Sequence, residues 1–100
     1  MNSTNHTGAY SELSAASYFL ARGYEVFRNV AASGPVDIVI MRDGKYTPID
    51  IKSTNSAYIR ADGTKCYNIK MELREDGVWQ VGFDVSAGEF LFPEGFWEAV

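Results

Sequence analysis

The stretch that decides the fold is Gly34-Pro-Val-Asp-Ile-Val-Ile40, which a short polar segment joins to Thr47-Pro-Ile-Asp-Ile-Lys-Ser53. Both ends of this stretch are apolar runs rich in β-branched residues, which predicts two adjacent buried strands. The intervening Arg42-Asp-Gly-Lys45 contains an Asp-Gly pair, a strong signal for a hairpin turn. We therefore expect an antiparallel hairpin. Its strands contain three charged side chains, those of Asp37, Asp50 and Lys52.

The three charges can be interpreted in two ways. Side chains two apart on a strand share a face, so Asp50 and Lys52 point away from Ile49 and Ile51. Alone, this pair would indicate an exposed, salt-bridged strand. Asp37 favours a functional interpretation, because aspartate forms strands poorly and its carboxylate would converge with that of Asp50. Converging carboxylates repel unless one is protonated or a cation lies between them. Oxygen ligands without cysteine or histidine suit Mg²⁺ or Mn²⁺.

An amphipathic helix is predicted from about Gly8 to Arg22, with Thr7 as a plausible cap and Gly23 as its stop. The apolar stripe comprises Ala9, Leu13, Ala16, Phe19 and Leu20. Glu12 lies beside that stripe. A glutamate in a first helical turn is usually solvated and favoured by the helix dipole. Together with the two aspartates, however, Glu12 becomes a candidate metal ligand or ligand-positioning acid.

The remaining chain contains further strand patterns. We predict strands over Tyr24–Val30, Cys66–Leu73, Val78–Val85 and Gly88–Phe92, with a short helix or turn after Pro93. Segment 31–35 either lets a phosphate backbone approach the carboxylates or is only a turn. Segment 54–65 is polar, with a turn at Asp62-Gly63. Arg28, Arg60 and Lys65 are candidate contacts to a phosphate backbone, although loop charges are commonly solvated.

These residues resemble the PD-(D/E)XK phosphodiesterases, the restriction-endonuclease-like nucleases. In that motif an Asp begins one strand, an acid-x-Lys follows on the next, and a Glu lies on a preceding helix. Asp37, Asp50-Ile51-Lys52 and Glu12 match these positions. The resemblance runs from about Gly8 to Ser53. Two departures are that Pro35 lies two residues before Asp37 and that the second acid is Asp rather than Glu.

The amino-acid sequence is also similar to those of small members of this superfamily, namely archaeal-type Holliday junction resolvases and group I intron-associated endonucleases. The resemblance implies a minimal restriction-endonuclease-like α/β core, a mixed β-sheet with an N-terminal helix packed on it. It also implies a metal site formed by Asp37, Asp50, the backbone carbonyl of Ile51 and Glu12, directly or through water. Lys52 would orient or deprotonate the attacking water.

Length and composition limit the other possibilities. One hundred residues support one domain over 8–100, and residues 1–7 are polar and expected to be disordered. Nothing approaches a membrane span or a signal-peptide pattern. The single cysteine, Cys66, cannot form an internal disulfide, which fits a reducing cytoplasm. The only histidine is His6, which excludes a Ser/His/Asp triad. The sequence also has no Gly-rich phosphate loop before a lysine and no paired cysteines for a zinc site.

The net charge of −4 is the main objection to a nucleic-acid partner, because DNA-binding domains tend to be basic. Acids committed to a metal site weaken the objection, since a bound divalent ion reverses their local field. The last quarter of the chain is rich in aromatic residues, which favours a core and also suits a dimer interface. These residues are Trp79, Phe83, Phe90, Phe92, Phe96 and Trp97.

The function expected from the sequence is a metal-dependent DNA endonuclease. A junction-selective enzyme, such as a Holliday junction resolvase acting as a homodimer on branched or duplex DNA, is the first choice. An intron-type, site-specific endonuclease comes next. The rival from another class is a nuclease fold that has become a non-catalytic nucleic-acid-binding or protein-interaction module.

Overall fold

A computed structural model describes residues 3–31, 34–55 and 57–100 of the chain. Helix α1 packs on a five-stranded mixed sheet of order β1-β2-β3-β6-β7, beside a separate β4-β5 ribbon. The elements are α1 Ser3–Ala21, β1 Glu25–Arg28, β2 Ile38–Arg42, β3 Lys45–Thr54, β4 Ala57–Ile59, β5 Lys65–Tyr67, β6 Trp79–Asp84, β7 Glu89–Leu91 and α2 Phe96–Ala99. The predicted mixed sheet with an N-terminal helix is confirmed.

The hairpin of β2 and β3 is antiparallel, as predicted. Arg42 pairs with Lys45, so only Asp43 and Gly44 form the turn. Both turn residues have positive φ, 53° and 78°. These angles are those of a type I′ turn, whose backbone twist matches that of the flanking strands, and glycine adopts them without steric penalty. The other edge of β3 pairs with β6 in parallel, from Ile49 opposite Trp79 onward.

The helix differs from its prediction in where it starts and in which face it buries. It begins at Ser3 rather than near Gly8, so Thr7 lies inside it. Residues 1 and 2 lie outside the described part of the chain. Leu13 and Leu20, which we placed on the packing stripe, are 52% and 58% exposed. Ala16 and Phe19 of the predicted stripe are buried, and the other buried positions among helix residues 6–21 are Ser11 and Ala15.

Close packing explains this choice of helix face. Small side chains let α1 approach β3 so closely that the hydroxyl groups of Ser11 and Ser53 are 2.6 Å apart. The Ser11 hydroxyl also donates to the backbone carbonyl of Thr7 at 2.9 Å, so a buried polar group is satisfied. A prediction that weighs hydrophobicity alone therefore favours the leucines, whereas close contact between helix and sheet favours serine and alanine.

Two strand predictions were too long. Strand β1 ends at Arg28 rather than Val30, and segment 66–73 contributes only the end of β5. Strand β5 pairs with β4, which lies inside the segment predicted as a polar loop, and the predicted Asp62-Gly63 turn lies between them. Residues 32, 33 and 56 of the two predicted loops lie outside the described residues.

The core lies between α1 and one face of the sheet. Its buried residues are Ala15, Phe19, Tyr24, Ile38, Ile40, Ile49, Ile51, Trp79, Val81, Phe83 and Phe96. The C-terminal rings pack against the helix, with Phe92 and Trp97 both within 6.3 Å of the Tyr18 ring, centroid to centroid. Trp79, Phe83 and Phe96 are therefore core residues, whereas Trp97 remains 40% exposed.

Gly82 of β6 lies where a chain segment crosses the opposite face of the sheet. A Cβ atom at this position would lie 2.8 Å from Ile69 Cδ1, 3.0 Å from Met71 Sδ and 3.2 Å from Leu91 Cβ. Ile69 and Met71 therefore cover the sheet beside Lys52, the register partner of Gly82. Only glycine leaves room for this cover.

We expect Gly82→Ala to lower the free energy of unfolding by about 1–3 kcal/mol, because the added methyl group displaces Ile69 and Met71. Gly8→Ala is the matched control, since a Cβ at this helical position meets nothing within 4 Å. That change should raise stability by about 0.5–1 kcal/mol. Urea unfolding measures both changes, and equal stabilities of Gly82→Ala and the unmodified protein would contradict the close packing.

Candidate active site

Asp37 is held at the point where β2 begins. Its backbone N–H donates to the Ile49 carbonyl, and its own carbonyl accepts from the Asn29 N–H, both at 2.9 Å. Asn29 also donates its side-chain N–H to the Val36 carbonyl at 3.0 Å, which fixes the preceding residue. Finally, Asp37 Oδ2 accepts the backbone N–H of Ile51 at 2.6 Å. A side chain thus takes the place of a backbone acceptor next to β3, and the carboxylate has a fixed position.

Asp50 is buried on β3, and its carboxylate faces three donors. Oδ2 lies 3.1 Å from Lys52 Nζ, 3.5 Å from Arg74 Nη1 and 3.5 Å from Gln80 Nε2. Lys52 shares the face of Asp50 because the two are two residues apart on one strand. Gln80 lies opposite Asp50 in the parallel register of β3 with β6. Lys52 remains 46% exposed, so its ammonium group is accessible from solvent.

The electrostatics show that Asp37 and Asp50 converge. The pKa of Asp37 is raised from 3.8 to about 6, chiefly because burial disfavours its charged form. The Ile51 N–H lowers this pKa, while the Asp50 carboxyl raises it by hydrogen bonding and by charge. The charge of Glu12 raises it further. The Asp37 carboxyl therefore binds a proton more readily than an aspartate in water.

The structure thus brings together Asp37, Asp50 and Lys52, with Glu12 half-buried on α1 and near enough to act on Asp37. Within residues 3–31, 34–55 and 57–100, however, no three acidic, histidine or cysteine side chains are arranged to hold a metal ion. The aspartate pair is assembled here, and the role of Glu12 as a third ligand, directly or through water, stays a prediction.

The three predicted nucleic-acid contacts do not form one cluster. Arg28 lines a surface cavity of about 220 Å³ together with Asp37. Arg60 is exposed where β4 turns toward β5. Lys65 lies 3.6 Å from the buried carboxylate of Asp84. Arg28 thus shares a cavity with one residue of the aspartate pair.

Two residues next to the aspartates were missed from the sequence as site residues, Gln80 and Arg74. No local pattern indicates that β6 pairs in parallel with β3, so the position of Gln80 opposite Asp50 was not visible. Arg74 lies just before the turn-forming residues Glu75-Asp-Gly77 and is not among the residues predicted to contact a phosphate backbone. The turn that it begins brings it back beside the aspartate pair.

No protein-family model matches the chain, and no solved structure does. The chain is similar to "Protein 5.3" of Escherichia phage T7, with 29% identity over 65 residues. The match covers 65% of this chain and 55% of the length of the phage protein. Across the part of the chain that the structure describes, no helix is long and apolar enough to cross a membrane.

The raised pKa of Asp37 predicts how stability depends on pH. Because this pKa lies above that of an unfolded aspartate, the stabilisation from its bound proton is complete below about pH 4 and is lost as pH rises through about 6. We expect Asp37→Asn to stabilise the protein by about 1 kcal/mol near pH 7.5, a figure reduced for solvent screening of a half-buried carboxylate. Asparagine still offers an oxygen to the Ile51 N–H.

The measurement is urea unfolding of both proteins at several pH values between about 4 and 8. Taking the difference between the two proteins removes the contribution of the other carboxylates. The advantage of Asp37→Asn should shrink as pH falls through about 6 and be smallest near pH 4. A difference that is constant with pH, or largest in acid, would show that Asp37 is not the group with the raised pKa.

Proposed function

We propose that this protein is a metal-dependent DNA endonuclease that hydrolyses phosphodiester bonds. The observation that supports this most directly is the convergence of Asp37 and Asp50 beside Lys52, whose ammonium lies 3.1 Å from the Asp50 carboxylate. The resemblance to PD-(D/E)XK nucleases rests on these same residues and on Glu12. A buried pair of like charges destabilises a fold, and such pairs are common in catalytic sites.

The donor set fits Mg²⁺ or Mn²⁺. Asp37 and Asp50 offer hard oxygen ligands, and the negative charges of Asp50 and Glu12 both act on Asp37, so a divalent cation here would offset repulsion between carboxylates. We propose that these two residues hold the ion, with the Ile51 carbonyl and Glu12, directly or through water, completing the set. When bound, such an ion screens the scissile phosphate and lowers the pKa of a coordinated water.

The role that we propose for Lys52 follows from its exposure and its partner. Asp50 holds the ammonium group in position, while nearly half of the side chain remains accessible to a substrate. From there Lys52 would orient or deprotonate the attacking water and stabilise the charge that builds up on the phosphate oxygens. Asp50 would therefore both bind the metal ion and hold the Lys52 ammonium group.

A branched substrate, such as a four-way junction, is the proposed DNA. The described residues form one helix-on-sheet unit with its small ribbon, and among them no separate unit for reading sequence stands out. Cutting two strands requires two sites, so we propose a homodimer. The free thiol of Cys66 fits a reducing cytoplasm as the compartment of action. An intron-type, site-specific endonuclease would use the same residues on a linear target.

A second function is favoured by one observation, the net charge of −4. Electrostatic attraction to phosphates supplies much of the affinity of DNA-binding proteins, and an acidic chain has less of it. A non-catalytic binding or protein-interaction module on this fold would have no need of a reactive lysine. Such a module would retain its binding when the site residues are replaced.

The deciding experiment measures cleavage of a labelled four-way junction and of a linear duplex with the same sequence, in Mg²⁺. Lys52→Ala should reduce the cleavage rate by about 10²–10⁴-fold, because the proton-transfer group is lost while both aspartates remain. Arg42→Gln is the control, since Arg42 lies at the far, turn end of the hairpin.

Symmetric nicks in the junction alone would support a dimeric resolvase, and cutting of both substrates a general or site-directed nuclease. If the unmodified protein cuts neither substrate, the binding module is favoured. A rate for Lys52→Ala equal to that of Arg42→Gln would remove Lys52 from the mechanism and leave it as a structural partner of Asp50.

A further inference from the structure

Arg74 is held rigidly at the rim of the aspartate pair. Its backbone N–H donates to the Val78 carbonyl at 2.9 Å, and its carbonyl accepts from the Gly77 N–H at 3.0 Å, so the turn before β6 fixes its backbone. Its guanidinium forms a close ion pair with Asp76 and donates to the Pro35 carbonyl at 3.4 Å. The side chain is only 23% exposed. Arg74 therefore bridges the turn before β6 and the segment that leads into Asp37.

The contact between Arg74 and Asp50 is the loosest of the ion pairs at this site. Arg74 Nη1 is 3.5 Å from Asp50 Oδ2, whereas Lys52 Nζ is 3.1 Å from the same oxygen. Gln80 also approaches that oxygen, at 3.5 Å. Asp50 thus has other donors without Arg74, and Asp76 rather than Asp50 holds the guanidinium. The Nη1 side of the Arg74 guanidinium therefore faces the aspartate pair, although Asp50 does not depend on it for a hydrogen-bond donor.

The charges around the aspartate pair suggest a role for the Arg74 guanidinium. Four carboxylates lie at or beside it, those of Glu12, Asp37, Asp50 and Asp76, and the cations in contact with them are Lys52 and Arg74, with Arg28 in the cavity beside Asp37. A phosphate that approaches this surface is repelled unless a cation receives it. Guanidinium presents parallel N–H donors that match phosphate oxygens, and a preorganised guanidinium loses little entropy on binding.

We propose that Arg74 is a phosphate-binding residue that receives a backbone phosphodiester of the nucleic acid next to the aspartate pair, and that Asp76 is its positioning residue. In the free protein, the Asp50 carboxylate contacts the guanidinium group that would bind the phosphate, so the two compete for Arg74. The proposal rests on the proposed function in taking nucleic acid as the ligand, but it does not require that the protein cleave it.

The test is binding of a fluorescein-labelled DNA duplex in EDTA, measured by anisotropy between about 50 and 200 mM NaCl. Each phosphate contact contributes about one unit to the slope of log affinity against log salt. Arg74→Gln should lower that slope by about one and weaken binding about tenfold at the lower salt. Arg42→Gln removes the same charge at the far end of the hairpin and should leave the slope unchanged.

Two aspartate variants test the competition between Asp50 and phosphate. Asp50→Asn and Asp37→Asn each remove one negative charge from the site, but only Asp50 contacts Arg74. Asp50→Asn should therefore tighten binding more than Asp37→Asn does. This excess should shrink when both changes are repeated in Arg74→Gln. An excess of the same size in that background would overturn the competition, because it would then arise without Arg74.

Asp76→Asn separates positioning from simple charge. If Asp76 contributed only a negative charge, removing it would tighten DNA binding. If Asp76 holds the guanidinium in place, the variant should bind more weakly and lose part of the salt slope. Tighter binding with an unchanged slope would overturn its positioning role. Circular dichroism and thermal unfolding of every variant show whether the fold is retained.

These outcomes remain distinguishable from those of the cleavage assay. Binding in EDTA that depends on Arg74, without cleavage in Mg²⁺, would support the phosphate site and reject the nuclease. Cleavage by the unmodified protein, with the same salt slope in Arg74→Gln, would support the nuclease and overturn the role of Arg74. Absence of DNA binding by the unmodified protein at the lower salt would overturn the phosphate site as well.

Discussion

The pairing of β3 with β2 on one edge and with β6 on the other holds the rest of the molecule in place. One face of this central strand receives α1, and the other presents the charged residues. Pro48 shows how closely the sequence fits this arrangement. A proline inside a paired strand removes a hydrogen-bond donor, yet the β6 pairing begins only at Ile49, one residue later. Pro48 therefore lies where β3 is still an edge toward that side.

Strand β3 also brings two carboxylates close together in the candidate site. Asp50 is buried on β3, and Asp37 is held against it by the Ile51 N–H, so two carboxylates share a poorly solvated region. Lys52, Arg74 and Gln80 compensate Asp50, whereas the main hydrogen-bond donor to Asp37 is a backbone N–H. Burial, together with the nearby Asp50 carboxyl, outweighs this single backbone donor and raises the pKa of Asp37. If Asp37 holds a metal ion as proposed, stability and activity oppose one another at this residue.

The strongest local signal was reliable, whereas the cap at Thr7 and the long strand over 66–73 were wrong, and the pairing of β6 with β3 was not predicted. The Asp43-Gly44 turn and the alternation on both sides of it defined the hairpin, and with it the shared position of Asp37, Asp50 and Lys52. The face of α1 was misjudged because Leu13 and Leu20 are more hydrophobic than Ser11 and Ala15, while close packing against β3 selects the smaller side chains. Gln80 and Arg74 reach the site through a parallel pairing that no short pattern encodes.

That parallel pairing also has a kinetic consequence. Helix α1 and strands β1 to β3 are joined by short connections, whereas β6 reaches β3 only after residues 55–78 have closed a long loop. Loop closure of this kind loses chain entropy before it gains contacts, so it tends to come late in folding. The aspartate hairpin can form early, but Gln80 and Arg74 arrive with β6. During synthesis from the N-terminus, the two carboxylates and Lys52 are therefore made before Arg74, the second cation beside Asp50, and Gln80, which donates a hydrogen bond to it.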